Sequence, residues 1–335
     1  MGSVWSRKRD RQLNEENVNR GFFGRFQKSG SSKWLGASLP RSSSKVGQGI
    51  QKVPLLIDLC VQRICKDIDK YDSLSMLPRD MIQLIFDDLV SSLCLTDSRF
   101  EAFRDCSLQD LNLGNCIGVN DSWIDVVVSQ GSSLLSVDLL DSDITDASLI
   151  RLKDCANLQE INFNYCHLIS DRGLLHLRGL SSLTALSVKR SSLITSQGMS
   201  ILSGLVNLAK LDLERCPKIH GGLIHLKGLS KLESLNLNCC NCINDADMKH
   251  LSGLINLKSL QIAFSRVTDD GVSSLKDLKK LALIDMEGCP VTASSLETLA
   301  SFGALSRLNL SRCNLTDDGC DKFSSELSIG VIAFS

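Results

Sequence analysis

The sequence lacks most of the features that assign a chain to a function class on sight. No run of about eighteen or more apolar residues occurs, so there is no candidate membrane-spanning helix. The first residues have no apolar core of the kind a secretory signal needs, which points to cytosol or nucleus rather than export. There is no glycine-rich phosphate loop, no nucleophile elbow and no His-Glu-x-x-His helix, which gives an enzymatic reading no support. Cys239-Cys240-Asn241-Cys242 is rich in thiols, but no second pair lies at zinc-site spacing, so no metal is expected, and no cofactor either.

Net charge is nearly absent as well, at −1 over 335 residues, but it is unevenly spread. Residues 1–52 hold eleven Lys and Arg against three Asp and Glu, a balance of +8, which leaves the remainder at −9. An acidic body argues against a nucleic-acid partner. Of the 14 cysteines, six recur at one position of a repeat, which suits buried thiols in a reducing compartment better than disulfides.

What the sequence does have is a period. Segments of the form L-x-x-L-x-L-x-x-C/S, with other apolar residues sometimes replacing the later leucines, open at Leu108, Leu134, Leu158, Leu183, Leu208, Leu232, Leu257, Leu281 and Leu305. The steps between them run from 24 to 26 residues. Each unit reads as a short strand, a turn and a helix, and none can bury its apolar side alone.

Side chains alternate along a strand, so in Leu211-Asp212-Leu213 the leucines point inward and the aspartate outward. The outward column is Asn112, Asp138, Asn162, Ser187, Asp212, Asn236, Gln261, Asp285 and Asn309, and every member is polar. It is expected to face solvent along the concave side. Three residues beyond each strand stands a Cys or Ser small enough to turn inward and hydrogen-bond the loop backbone. Thr or Ser beside Asp, as in Ile144-Thr145-Asp146, suits a helix start.

These features resemble the cysteine-containing leucine-rich repeats of plant F-box proteins, over residues 108–323. The resemblance implies an α/β solenoid, a leucine-rich-repeat horseshoe with a parallel concave sheet and convex helices. It also implies a protein-binding subunit that presents substrates to a cullin-type ubiquitin ligase, in ubiquitin-dependent degradation. A membrane-attached scaffold without a ligase partner is the alternative.

Residues 1–52, basic and rich in Ser and Gly, predict a disordered arm. Residues 53–106 predict a helical module, residues 107–323 nine repeats, and residues 324–335 an irregular tail where the array breaks off. Within the module, Leu77-Pro78 followed by Met81, Ile82, Ile85, Phe86 and Leu89 resembles the opening of an F-box. Leu56, Cys60 and Ile64 fit the box of elongin-C-binding receptors. Either resemblance implies contact with a cullin adaptor, and the apolar positions of the Pro78–Leu89 helix are expected to occupy more than one face. The same segment can instead seal the first repeat, as solenoid ends require. Met1-Gly2-Ser3-Val4-Trp5-Ser6 fits an N-myristoylation site at Gly2, and Arg7, Lys8, Arg9 and Arg11 would supply the second signal that membrane attachment needs.

The candidate partner-binding residues are Asp138, Asn162, Asp212, Asn236, Asp285 and Asn309 of the column, with Tyr165, Arg190, Arg215 and Phe264 beside it. Aromatic residues and arginines commonly anchor interfaces. His176, His225 and His250 share one repeat position and are expected on the convex surface.

Overall fold

A computed structural model of the protein describes residues 55–114, 116–315 and 331–333. The expectations for the basic arm and for acylation of Gly2 lie outside these residues.

Among the described residues, ten parallel strands form one sheet in strict chain order. They are β1 (Asp110–Asn112), β2 (Ser136–Asp138), β3 (Glu160–Asn162), β4 (Ala185–Ser187), β5 (Lys210–Asp212), β6 (Ser234–Asn236), β7 (Ser259–Gln261), β8 (Leu283–Asp285), β9 (Arg307–Asn309) and β10 (Val331–Ala333). The register never slips: Leu211 pairs with Leu186 on one side and Leu235 on the other. The sheet is open and the units stack as a solenoid.

Each strand is three residues long, and the apolar residue on each side of the outward position turns into the core. Leu211 and Leu213 are both 2% exposed, and their equivalents in the described repeats are buried likewise. A fully buried Leu contributes roughly 1.5–3 kcal/mol, so two such columns supply much of the stacking energy. The cysteine column behaves as expected. The thiols of Cys166, Cys216, Cys240 and Cys289 donate to the carbonyls of Leu139, Val188, Leu213 and Ile262 in the preceding repeat, at 3.0–3.2 Å. The described cysteines are free, and burial pushes the Cys216 thiol up to about 12.

The backs of the repeats are less regular than the sequence suggests. Some carry short α-helices, such as Asp146–Leu152, while Gly198–Gly204 and Gly222–Leu226 are 3-10 turns. Thr145, Ser170 and Thr268 cap helix starts, accepting from the N–H two residues on. The same residues do a second job that the sequence reading missed. Asp121 accepts both the N–H and the hydroxyl of Thr145 (2.8 and 2.6 Å), and Asp146 does so for Ser170, Asp171 for Thr195, Asp245 for Thr268 and Asp269 for Thr292. The aspartate of one unit therefore clamps the helix cap of the next.

One junction reverses this clamp. The fifth repeat has His220-Gly221 where its neighbours have Thr195-Ser196 and Asn244-Asp245, so it offers neither the capping hydroxyl nor the aspartate. Asp247 of the sixth repeat supplies the carboxylate instead, accepting from the Gly221 N–H at 2.7 Å and the Asn244 N–H at 3.2 Å, and lying 2.8 Å from His220 Nδ1. It is 1% exposed. The anion is retained, but it comes from the other chain segment.

The array also continues further than expected. β10 pairs with β9 in the common register, Val331 opposite Arg307. The signal is present in the sequence, since Ile329, Ile332 and Phe334 repeat the L-x-x-L-x-L spacing without a leucine.

The helical module starts with α1 (Leu56–Lys66), α2 (Arg79–Ser91) and α3 (Asp97–Glu101). Here the structure corrects the expectation for α2. Ile82, Ile85, Phe86 and Leu89 are at most 1% exposed, and Phe86 packs in an aromatic cluster with Phe100 and Phe103, with Trp123 stacked on Phe100. Gln83 donates to the Asp110 carbonyl at 2.8 Å, tying α2 to the edge strand β1. α2 thus seals the array, because an uncovered first repeat would expose core and strand edge. Leu77 and Met81 are half-buried and Pro78 is exposed.

Candidate functional site

The concave surface is built from two parallel columns. The first is the strand column. Its side chains do not simply face solvent, because most bond to their own backbone. Asp138 Oδ1 accepts the Leu140 N–H at 2.9 Å, Asn162 that of Asn164, Asp212 that of Glu214, Asn236 that of Asn238, Asp285 that of Glu287 and Asn309 that of Ser311. The N–H two residues past the strand is left without a strand partner as the chain turns, and a short carboxylate or amide at the outward position reaches it. Asn236 is buried outright.

Ser187 and Gln261 are the wrong length for this bond. In those repeats the acceptor comes from the preceding unit: Asn164 Oδ1 takes the Lys189 N–H at 2.7 Å, and Asn238 Oδ1 takes the Ala263 N–H at 2.8 Å. Asn164 and Asn238 are buried to match, 9% and 4% exposed. Single-sequence patterning did not single them out, since neither sits in the outward column.

Burial pushes the carboxyls of Asp138, Asp212 and Asp285 above their ordinary range, against the opposing pull of their hydrogen bonds. For Asp212 the offset includes Lys189, whose Nζ lies 3.0 Å from both Asp212 and Glu214.

The second column lies one step beyond, at the residue that turns the chain out of the sheet. Asp141, Tyr165, Arg190, Arg215, Cys239, Phe264 and Arg312 all sit in the left-handed region, with φ from 56° to 64°. Gly288 holds the same position at φ 66°. Their N–H groups continue the sheet ladder, Arg190 to Glu214 at 2.8 Å and Phe264 to Glu287 at 2.7 Å. Of the four candidates here, Arg190 stands over the Tyr165 ring at 5.0 Å, a cation–π pair. Phe264 is 38% exposed and leans over Gly288, where an added Cβ would lie 2.7 Å from the ring. Arg215 lies 3.8 Å from Glu214 and Arg312 3.7 Å from Glu287.

A family model described as leucine rich repeat matches residues 154–177, 228–252, 253–276 and 305–324. These units are leucine-rich repeats. No curated protein matches the chain. Solved structures similar to it include two internalins of Listeria monocytogenes. One, an internalin C2, is 17% identical with a TM-score of 0.40, covering 75% of this chain and 92% of that one. The other is also 17% identical, with a TM-score of 0.42, covering 80% and 97%. Leucine-rich repeats are protein-interaction modules, and no helix among the described residues is long and apolar enough to cross a membrane.

Proposed function

We propose that the concave surface holds a protein partner, and that the chain serves as the substrate-recognition subunit of a cullin-type ubiquitin ligase rather than as an enzyme. The observation that carries the binding reading is the left-handed column. It lines up Tyr165, Arg190, Arg215 and Phe264, residues of the kind that dominate interface energetics, along one edge of a rigid sheet. The carboxylates of the strand column, Asp138, Asp212 and Asp285, stand three repeats apart and are tied to backbone, an arrangement that suits recognition, not proton transfer.

For the ligase, support comes from the resemblance of the helical module together with its exposed apolar side chains. Leu56 is 77% exposed, Leu59 48% and Met76 93%. Leu56 and Leu59 lie on α1, whose Leu56, Cys60 and Ile64 carry the elongin-C-type spacing. The adaptor contact therefore falls on α1 and on Met76, Leu77, Pro78 and Met81, and the buried face of α2 is left to the core. A scaffold held at a membrane by acylated Gly2 is the competing reading.

Affinity purification of the C-terminally tagged chain tests both parts. The wild type should retain a cullin, and Leu56→Asp with Leu59→Asp should lose the cullin but keep the substrate. Arg190→Glu with Phe264→Ala should do the reverse. Wild type that never retains a cullin refutes the ligase role. Membrane attachment abolished by Gly2→Ala would then favour the scaffold.

A further inference from the structure

The left-handed column carries more than the fold requires. A non-glycine residue in this region costs roughly 1–2 kcal/mol, and glycine, which escapes that cost, is used here at Gly288. Strain retained at a surface position is a pointer to function. From the third repeat onward the column reads Tyr165, Arg190, Arg215, Cys239, Phe264, Gly288 and Arg312, with no acidic member.

Two of these side chains are set apart by their surroundings. Arg215 and Arg312 each lie near a glutamate, and Lys189 is held between Asp212 and Glu214. Arg190 makes no ion pair among the described residues; its guanidinium is instead oriented by the Tyr165 ring. Phe264 is the large apolar side chain of the column, and the missing Cβ at Gly288 is what lets its ring lie flat along the row. Arg190 and Phe264 are three strands apart, or about 14 Å at ~4.8 Å per strand. An extended chain rises ~3.3 Å per residue, so that gap corresponds to about four residues.

Resting on the reading that this face binds protein, we propose that the row from Tyr165 to Phe264 receives an extended protein segment bearing a carboxylate side chain and, about four residues from it, a large apolar one. The carboxylate pairs with Arg190, whose planar fork matches it in two-point geometry while the Tyr165 ring fixes its orientation. The apolar group covers the exposed face of Phe264.

The test is selection of random dodecapeptides displayed on phage against the full chain, followed by solution binding of a synthetic member of the enriched family. The enriched family should pair Asp or Glu with an aromatic or aliphatic residue at about four-residue spacing. Arg190→Glu and Phe264→Ala should each weaken that peptide at least tenfold. A peptide with its acid replaced by Lys should regain affinity for the Arg190→Glu chain, an exchange that damaged folding cannot produce. A family lacking an acid, the absence of any enriched family, or indifference to Arg190→Glu overturns the proposal. If the selected peptides instead lose binding on Asp138→Asn or Asn162→Ala, the concave face still binds protein but the row does not select its partner.

Discussion

The two concave columns lie one turn apart on the second to ninth repeats, yet they differ in what varies. The strand column holds one kind of chemistry throughout, a short side-chain oxygen that satisfies a backbone N–H. Where Ser187 and Gln261 interrupt it, Asn164 and Asn238 restore the same bond from the neighbouring unit. The left-handed column has one backbone conformation throughout and almost no shared side-chain chemistry. A column that is compensated when it varies is serving the fold. A column that varies without compensation, at positions where glycine would be cheaper, is free to serve a partner.

The core beneath both columns sets the upper end of the scale. Leu213→Asp places an unpaired charge where 2% of the side chain is exposed, and should destabilise the array by at least about 4 kcal/mol. Urea unfolding followed by circular dichroism measures it, and a loss under about 1 kcal/mol would mean that the register is misassigned.

The convex clamps come next. Asp247→Ala leaves the N–H groups of Gly221 and Asn244 without their carboxylate at a part-buried site and should cost about 2 kcal/mol. A loss equal to that from the solvent-facing Asp270→Ala would show that the reversed clamp is idle. Asp121 of the clamps and Asp138 of the concave column should also respond to pH with opposite signs. At Asp121 burial raises the carboxyl, but the bonds from Ser148 and Thr145 outweigh it and hold it below its ordinary range. Its stabilisation is present above the unfolded pKa and fades as pH falls through the folded value. Asp138 is raised by burial, so its ionisation costs stability above the folded pKa and nothing below the unfolded one. Asp138→Asn, which keeps the acceptor oxygen, should therefore stabilise at pH 7 and lose that advantage toward pH 4. A constant difference between pH 7 and pH 4 would refute this assignment.

Within the strand column, compensation makes a further comparison. Asn164→Ala removes the acceptor for Lys189 N–H and Ser187 Oγ–H together and should cost about 2 kcal/mol. Asp212→Ala removes the acceptor for the Glu214 N–H and one of the two carboxylates beside Lys189, which keeps Glu214, and should cost about 1 kcal/mol, not the negligible amount that a solvent-facing side chain implies. Denaturant midpoints of the two variants decide it, and equal values would mean that the borrowed bond carries no extra burden.

The legibility of the molecule follows the same division. Leucine spacing made the sheet, its order and its inward columns readable, because one residue type at a fixed period has few physical uses. The polar character of the strand column and the aromatic and arginine residues of the turn were also readable. What the sequence could not separate was a side chain that faces solvent from one that bonds to backbone two residues on, since Asp and Asn serve both ends. Nor could it separate an adaptor-binding helix from a capping one at Ile82, Ile85, Phe86 and Leu89, which are apolar for either purpose. Asp247 escaped notice because its partner position is occupied by His220-Gly221, and a reversal is visible only once the neighbouring repeat is in place. β10 escaped because isoleucine and phenylalanine stand where leucine was sought.

The smallest expected effect bears most directly on the comparison. Arg312, at φ 61°, has the most exposed cationic side chain of the turn column, at 69%. Its pairing with Glu287 at 3.7 Å is a surface ion pair worth less than about 1 kcal/mol. Replacement by glycine removes a left-handed strain of roughly 1–2 kcal/mol and gives back about 0.4–1 kcal/mol through the looser unfolded chain. Arg312→Gly should therefore leave stability unchanged or raise it by about 0.5 kcal/mol. The same exchange at Asn309, in the strand column of that repeat, should lower it by about 1 kcal/mol, because the Ser311 N–H loses its acceptor. Thermal melts of the two single variants read the difference directly. If Arg312→Gly costs as much as Asn309→Gly, the turn column serves the fold as the strand column does, and the division between them fails.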